Sequence, residues 1–176
     1  RAPYEDYFRI MADRIELDVS QIERAGKHLG GKYIAEASLA MGAALFNEGE
    51  RIMGKSKTQF VPVDLGTLRS SGRVQFPEIK GSTIEVTLGF GGPAAPYALF
   101  VHEGTRPHMP PVSALEQWAK RHGFDSPWPI AMKIAREGTK GVPYLLKPFQ
   151  QALPTAGRRI SKDTAKRLRD RGRRKG

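Results

Sequence analysis

Apolar positions along the chain follow a helical rhythm first, then an alternating one, then a helical one again. Tyr4, Tyr7, Phe8, Met11, Ile15, Val19 and Ile22 recur every three or four residues, which predicts a helix with one apolar face over 4–24. Gly26, Gly30 and Gly31 interrupt it. A second helix is predicted over Lys32–Met53, with Ile34, Ala37, Met41, Ala44, Leu45 and Ile52 as its stripe. Its small residues, Ala35, Ala37, Ala40, Gly42, Ala43 and Ala44, permit close approach of another element. The period then shifts to two. Arg73–Phe76 alternates, and so does Thr83–Phe90, which turns Ile84, Val86, Leu88 and Phe90 to a core and Thr83, Glu85 and Thr87 away from it. Lys80-Gly81-Ser82 reads as the hairpin turn between these runs. After the Gly/Pro loop 91–96, Tyr97–His102 is predicted as a third strand.

Turn and cap signals complete the outline. Pro62 and Gly66 mark a turn, and Asp64 is placed to cap the short turn after it. Pro110 and Pro111 precede a helix with Ser113 as N-cap and Glu116 as its capping-box partner; Leu115, Trp118, Ala119 and His122 form its apolar side and Gly123 ends it. Ile130–Glu137 is another short helix, stopped at Gly138. Gly141–Pro148 is extended, and Pro148 opens a last helix that reaches Leu153 or beyond. The order helices, strands, helices predicts an α+β fold. Its central antiparallel sheet of three to four strands is packed by the long helix of the N-terminal half and by C-terminal helices. No internal repeat is visible.

Charge adds a feature the pattern does not show. Net charge is +11 over 176 residues. Ten of the 29 Lys/Arg and two of the 18 acids fall in 158–176, so this segment is +8 and the rest +3. Three regions follow: a helical extension 1–31, an α+β domain 32–157 and a basic tail 158–176. The tail contacts would be Arg158, Arg159, Lys162, Lys166, Arg167, Arg169 and Arg171. Such a tail implies an acidic partner, nucleic acid or protein. With Ile160 and Leu168 as its only large apolar groups, it is expected to project from the body and become helical once a partner neutralises it. A permanent grip on DNA would oppose release, which leans this reading towards a protein partner.

The chain has no cysteine, which excludes thiolate metal sites and Cys nucleophiles and fits a reducing compartment. No stretch reaches the ~20 apolar residues of a membrane span, and no secretory signal is evident. The chain opens at Arg1 without a methionine, which leaves room for a short leader ahead of it.

Candidate chemistry is thin. In YALFVHEGTRPHMPP, residues 97–111, His102 and His108 are separated by Gly104 and Pro107, so no helix can present them as a zinc pair. Gly49–Ser56, GERIMGKS, fits the letter of a phosphate loop, but it ends a helical pattern instead of following a strand, and Gly54 reads as a C-cap. Asp64, Ser70 or Ser71 and a His could be assembled into a triad on paper, yet no spacing demands it. No metal, cofactor or catalytic set is expected. A hydrolase centred on His102, Glu103 and His108 remains the enzymatic alternative, testable by chelation.

Three segments taken in order say more. VPVDLGTLRSS, then an alternating strand, then YALFVHEGT, then GVPYLLKP resembles the head–tail joining and tail-completion proteins of long-tailed bacteriophages. That family shows a V-D-T-G-x-L-R turn, a Y-x-x-x-V-E-x-G-T strand end and a P-F-L-x-P segment before the last helix. Here Leu65 stands where Thr is common, His102 precedes the acid, and Tyr144 replaces Phe. The resemblance covers about Lys32 to Leu153. It implies a structural, non-enzymatic subunit of a ring in the virion neck, a hexamer or alternatively a dodecamer. Its neighbours would be the portal, an adaptor or stopper, and the tail terminator or tube, with genomic DNA in the channel. Assembly would take place in the host cytoplasm. On this reading Asp64, Gly66, Leu68 and Arg69, with Tyr97, His102, Glu103, Gly104, Thr105, Arg106 and His108, meet other subunits or partners. The alternative is a nucleic-acid-binding protein that acts through its basic tail.

Overall fold

The computed structural model describes residues 12–18, 20 and 31–173. They fall into two compact units. One runs up to Pro96 and resumes at Tyr144; the other is Tyr97–Pro143.

The first unit is built on helix α1, Gly31–Lys55. Its stripe is buried from Ala37 onward as the periodicity requires: Ala37, Met41, Ala44, Leu45 and Ile52 are inside, with Met53 beside them and Leu45 0 % exposed, while Ile34 is only half-buried. One side of α1 lies on the sheet through two glycines a heptad apart. A Cβ on Gly49 would meet Val74 Cγ1 at 3.0 Å and Val86 Cγ1 at 3.2 Å, and one on Gly42 would meet Pro77 Cβ at 3.3 Å. The other side meets the C-terminal helix α6, Leu146–Arg173. Met41, Ala44, Leu45, Ile84, Val86, Ala156 and Ile160 form one cluster across the three layers.

The sheet centres on β4, Thr83–Gly89. Ile84, Val86, Leu88 and Phe90 are buried as the alternation predicts. Along one edge of β4 run β2, Arg73–Val74, and then β3, Glu78–Lys80. Pro77 has no N–H for the ladder, so the strand predicted over Arg73–Phe76 stops short and resumes after it. The β3–β4 turn falls where expected, with Gly81 at φ 58°. The outward Glu85 is not solvated as the pattern suggested: it is buried and accepts a hydrogen bond from Lys80 at 3.1 Å. Lys80 also meets Glu78 at 3.0 Å, and these bonds, Glu78 first, raise its ammonium above the ordinary lysine value.

Three expectations need correction. The helix predicted over 4–24 is a strand at Ala12–Asp18, here β1, antiparallel to β4 with Ile15 opposite Val86. Ile15 and Leu17 alternate with Arg14, Glu16 and Asp18, so the segment also carries a period of two, and the free edge of β4 selects that one. Tyr4, Tyr7, Phe8, Met11, Val19 and Ile22 lie outside the described residues. Second, Gly54 is no cap: α1 continues to Lys55 and then into a π-helical turn, Ser56–Phe60. The buried Ser56 Oγ there donates to the Tyr144 carbonyl at 2.7 Å. The phosphate-loop pattern is therefore helix throughout. Third, 158–173 does not leave the body. It is the second half of α6, helical without interruption, with Ile160 buried against α1.

An ion pair explains why that basic segment stays down. Glu48 on α1 is 4 % exposed. Arg159 grips it with two bonds, Nε to Oε2 at 2.8 Å and Nη2 to Oε1 at 2.5 Å, and Arg51 Nη2 reaches Oε1 at 2.9 Å. Burial pushes the Glu48 carboxyl up, but the hydrogen bonds and charges of Arg159 and Arg51 outweigh it and hold the carboxyl below its ordinary value. One turn on, Asp163 accepts from Asn47 Nδ2 at 2.9 Å and from Arg167 Nε at 3.1 Å.

Two stability outcomes follow. Leu45→Ala leaves a cavity at the centre of the cluster and is expected to cost about 3 kcal/mol in urea denaturation. Glu48 has a depressed folded pKa, so its contribution is present above the unfolded carboxyl value of about 4.3 and is lost as pH falls through the folded one. The stability gap between wild type and Glu48→Gln, measured by denaturation at a series of pH values, should narrow below about pH 4.3. A constant gap from pH 7 to pH 3 would contradict the pairing.

Candidate functional site

The second unit holds a groove of about 780 Å³. Its construction starts with a helix where the alternation predicted a strand. Ala98–Glu103 forms the short helix α3. Both edges of β4 are taken, one by β1 and the other by β2 and β3, so the third strand has no place beside it. Pro96 and Gly104 bracket the segment instead, and Gly104 ends the helix at φ 83°.

Gly104–Thr105 then forms β5, paired antiparallel with β6, Thr139–Lys140. This ribbon depends on three glycines. A Cβ on Gly104 would lie 2.3 Å from the Thr139 carbonyl oxygen, one on Gly138 2.0 Å from that of Thr105, and one on Gly141 2.4 Å from the Glu103 carbonyl carbon. The opposing atoms are backbone and cannot swing aside. Thr105 and Thr139 join their hydroxyls at 3.0 Å, and Val142 N–H donates to the Val101 carbonyl at 2.9 Å. Helices α4, Val112–Arg121, and α5, Trp128–Glu137, complete the unit. Helix α4 starts one residue before Ser113, with Pro111 at the N-cap, so the predicted capping box is not formed. Gly123 and Gly138 follow α4 and α5 with φ of 76° and 73°, as predicted for helix ends.

The groove walls are apolar: Leu99, Phe100, Val101, Pro107, Ile134 and Val142. Phe100 is 58 % exposed. Glu103, Arg106, His108 and Lys140 supply the charged and polar lining. Of the residues expected at a partner surface, Glu103, Gly104, Thr105, Arg106 and His108 all line it, whereas Tyr97 is exposed outside the lining and His102 is half-buried in the last turn of α3. His108 Nδ1 sits 2.9 Å from the Arg106 carbonyl, a bond local to its own loop. Among the described residues no group of three or more His, Asp or Glu is placed to hold a metal.

The other expected surface belongs to the first unit. Asp64 and Arg69 are exposed. Gly66, not Asp64, is the N-cap of α2, Thr67–Ser71, with φ 81°. Leu68 is buried in its own unit and offers no surface. Ser70 Oγ donates to Thr67 O, while Ser71 Oγ donates to Leu68 O and accepts from Gly91 N, so both hydroxyls serve the turn. Sequence reasoning missed Val63 and Leu65, which are 51 % and 71 % exposed. The signal was there: two large apolar residues inside a Pro62–Gly66 turn, where nothing of the local pattern buries them.

Of the basic residues expected to make tail contacts, Arg159 and Arg167 turn inward onto acids, while Arg158, Lys162, Lys166, Arg169 and Arg171 are exposed. Among the described residues no helix is long and apolar enough to cross a membrane. No protein-family model, curated protein or solved structure matches this chain.

The two turn glycines should separate experimentally. Gly66 faces open space, so Gly66→Ala meets only the left-handed φ and is expected to cost about 1 kcal/mol. Gly104→Ala adds a backbone collision and should unravel the ribbon, read as accelerated amide exchange at Thr105 and Thr139. Equal, mild effects at both positions would show that the ribbon tolerates a Cβ.

Proposed function

We propose that this chain is a non-enzymatic structural subunit that forms a ring in the neck of a long-tailed bacteriophage, between the portal and the tail. It would complete the tail or join it to the connector of the DNA-filled head, in the virion after assembly in the host cytoplasm. The reading is supported by where the three motif segments fall. VPVDLGTLRSS carries the exposed Val63 and Leu65, YALFVHEGT forms one wall of the groove, and GVPYLLKP delivers the buried Tyr144 and the start of α6.

One observation carries it furthest: the chain bears an exposed apolar turn in one unit and an apolar groove in the other. A protrusion on one copy that fits a recess on the next makes a heterologous contact, and such contacts close into rings when the rotation permits. The charges suit this pairing. Asp64 lies within the turn and Arg69 just beyond it, while Arg106, Lys140 and Glu103 lie at the groove. Sixfold closure would match a tail tube, and twelvefold would match a portal.

The chain has no cysteine, so introduced thiols report cleanly. Leu65→Cys and Phe100→Cys, made in separate proteins, are expected to form a disulfide-linked heterodimer when mixed and oxidised, and neither should crosslink efficiently alone. Leu65→Asp should abolish joining of heads to tails while leaving the monomer folded. Absence of the mixed crosslink at high protein concentration would overturn the contact, and a neck image without six copies would overturn the hexamer. The nucleic-acid-binding alternative draws on a different surface, the exposed side of α6.

A further inference from the structure

The sequence counts ten basic residues in 158–176, but the helix sorts those it describes. At about 100° per residue, Arg158, Lys162, Lys166, Arg169 and Arg173 fall within an arc of about 80°. All five are exposed. From first to last they span about 22 Å at 1.5 Å per residue. Arg159 and Arg167 lie off this arc and are bound to Glu48 and Asp163. The two acids of the segment also lie off it. Asp163 takes Asn47 and Arg167, and Asp170 lines a recess with Leu39, Ala40 and Ala43 of α1. The helix thus turns its acids towards α1 and leaves a straight basic stripe with no acid in it.

We infer that this stripe binds the phosphate backbone of double-stranded DNA. A protein partner would fit it less well. Protein interfaces centre on aromatic or aliphatic anchors and are depleted in Lys. No other residue between Arg158 and Arg173 falls in the arc, and Gln151 and Thr155 lie on it before them. Duplex DNA needs no anchor: it carries one charge per about 1.7 Å of axis, so a rigid 22 Å row of cations finds phosphates within reach in any register. The row is already helical and held down by Ile160 and Arg159, so binding need not first fold it. Contacts of this kind read no bases. They are also weakened by salt, which allows DNA to slide past instead of being held. The inference stands apart from the ring reading, since either can fail alone.

The test is fluorescence anisotropy with a labelled duplex of about two helical turns, titrated with the full chain at several salt concentrations. Five neutralised phosphates give a slope of log affinity against log salt of about −4.5, the same for two unrelated sequences. Each single change, such as Lys162→Gln, should reduce the slope by about 0.9, and all five together should remove binding. Arg171→Gln lies off the arc and should leave the slope unchanged. Glutamine favours helix, and circular dichroism confirms that α6 persists in each variant. The proposal is overturned if wild type fails to bind at 50 mM salt, if the five-glutamine variant binds as wild type does, or if Arg171→Gln lowers the slope as much as a stripe residue. Tighter binding to polyglutamate than to the duplex would assign the stripe to an acidic protein and overturn it equally.

Discussion

Burial of α1 on two sides is the constraint on which the first unit depends. A helix that must face a sheet on one side and another helix on the other cannot keep an ordinary amphipathic stripe. It needs small residues where backbones approach and large ones where layers interlock. Gly42 and Gly49 supply the first, against Pro77, Val74 and Val86; Met41 and Leu45 supply the second. The wide apolar arc leaves little polar surface, and Glu48 falls inside it. A buried carboxylate is costly unless paired, and removal of one partner leaves the charge stranded. Arg159 from α6 and Arg51 from α1 itself meet that need, so the position of α6 is tied to a charge on α1.

That tie changes what the basic C-terminal region is. A +8 segment with two large apolar groups has no means of folding alone. Attached to a helix already packed on α1, it needs only Ile160 and two ion pairs to continue for several more turns. Repulsion between cations spaced three or four apart is spread along an exposed face where water screens it. The helix thereby converts a diffuse charge into a row with direction and length.

The second unit rests on a different constraint. Its ribbon brings backbone to within contact of backbone at Gly104, Gly138 and Gly141, and only residues without Cβ allow that. The close ribbon fixes where α3 ends and leaves Phe100 and Val142 facing an open groove. An apolar groove in one unit and an apolar turn at Val63 and Leu65 in the other are surfaces that a chain acting alone has little reason to keep exposed. In the proposed ring each would be covered by a neighbouring copy.

Much was legible in the residues themselves. The helix over 31–55, the alternation of β4, the turn at Gly81 and the ends of α4 and α5 follow from periods and glycines, because these depend on neighbours within a few residues. The tertiary structure decided the rest. Ala12–Asp18 carries both a helical and an alternating pattern, and only an open edge on β4 makes it a strand. Tyr97–His102 reads as a strand but finds both edges of β4 occupied, so it closes into a helix and builds the groove. The basic region reads as a tail because composition cannot show Glu48 waiting on a helix 111 residues away. Pairings over such distances are set by which surfaces remain unburied once the local elements have formed, and no local pattern contains that information.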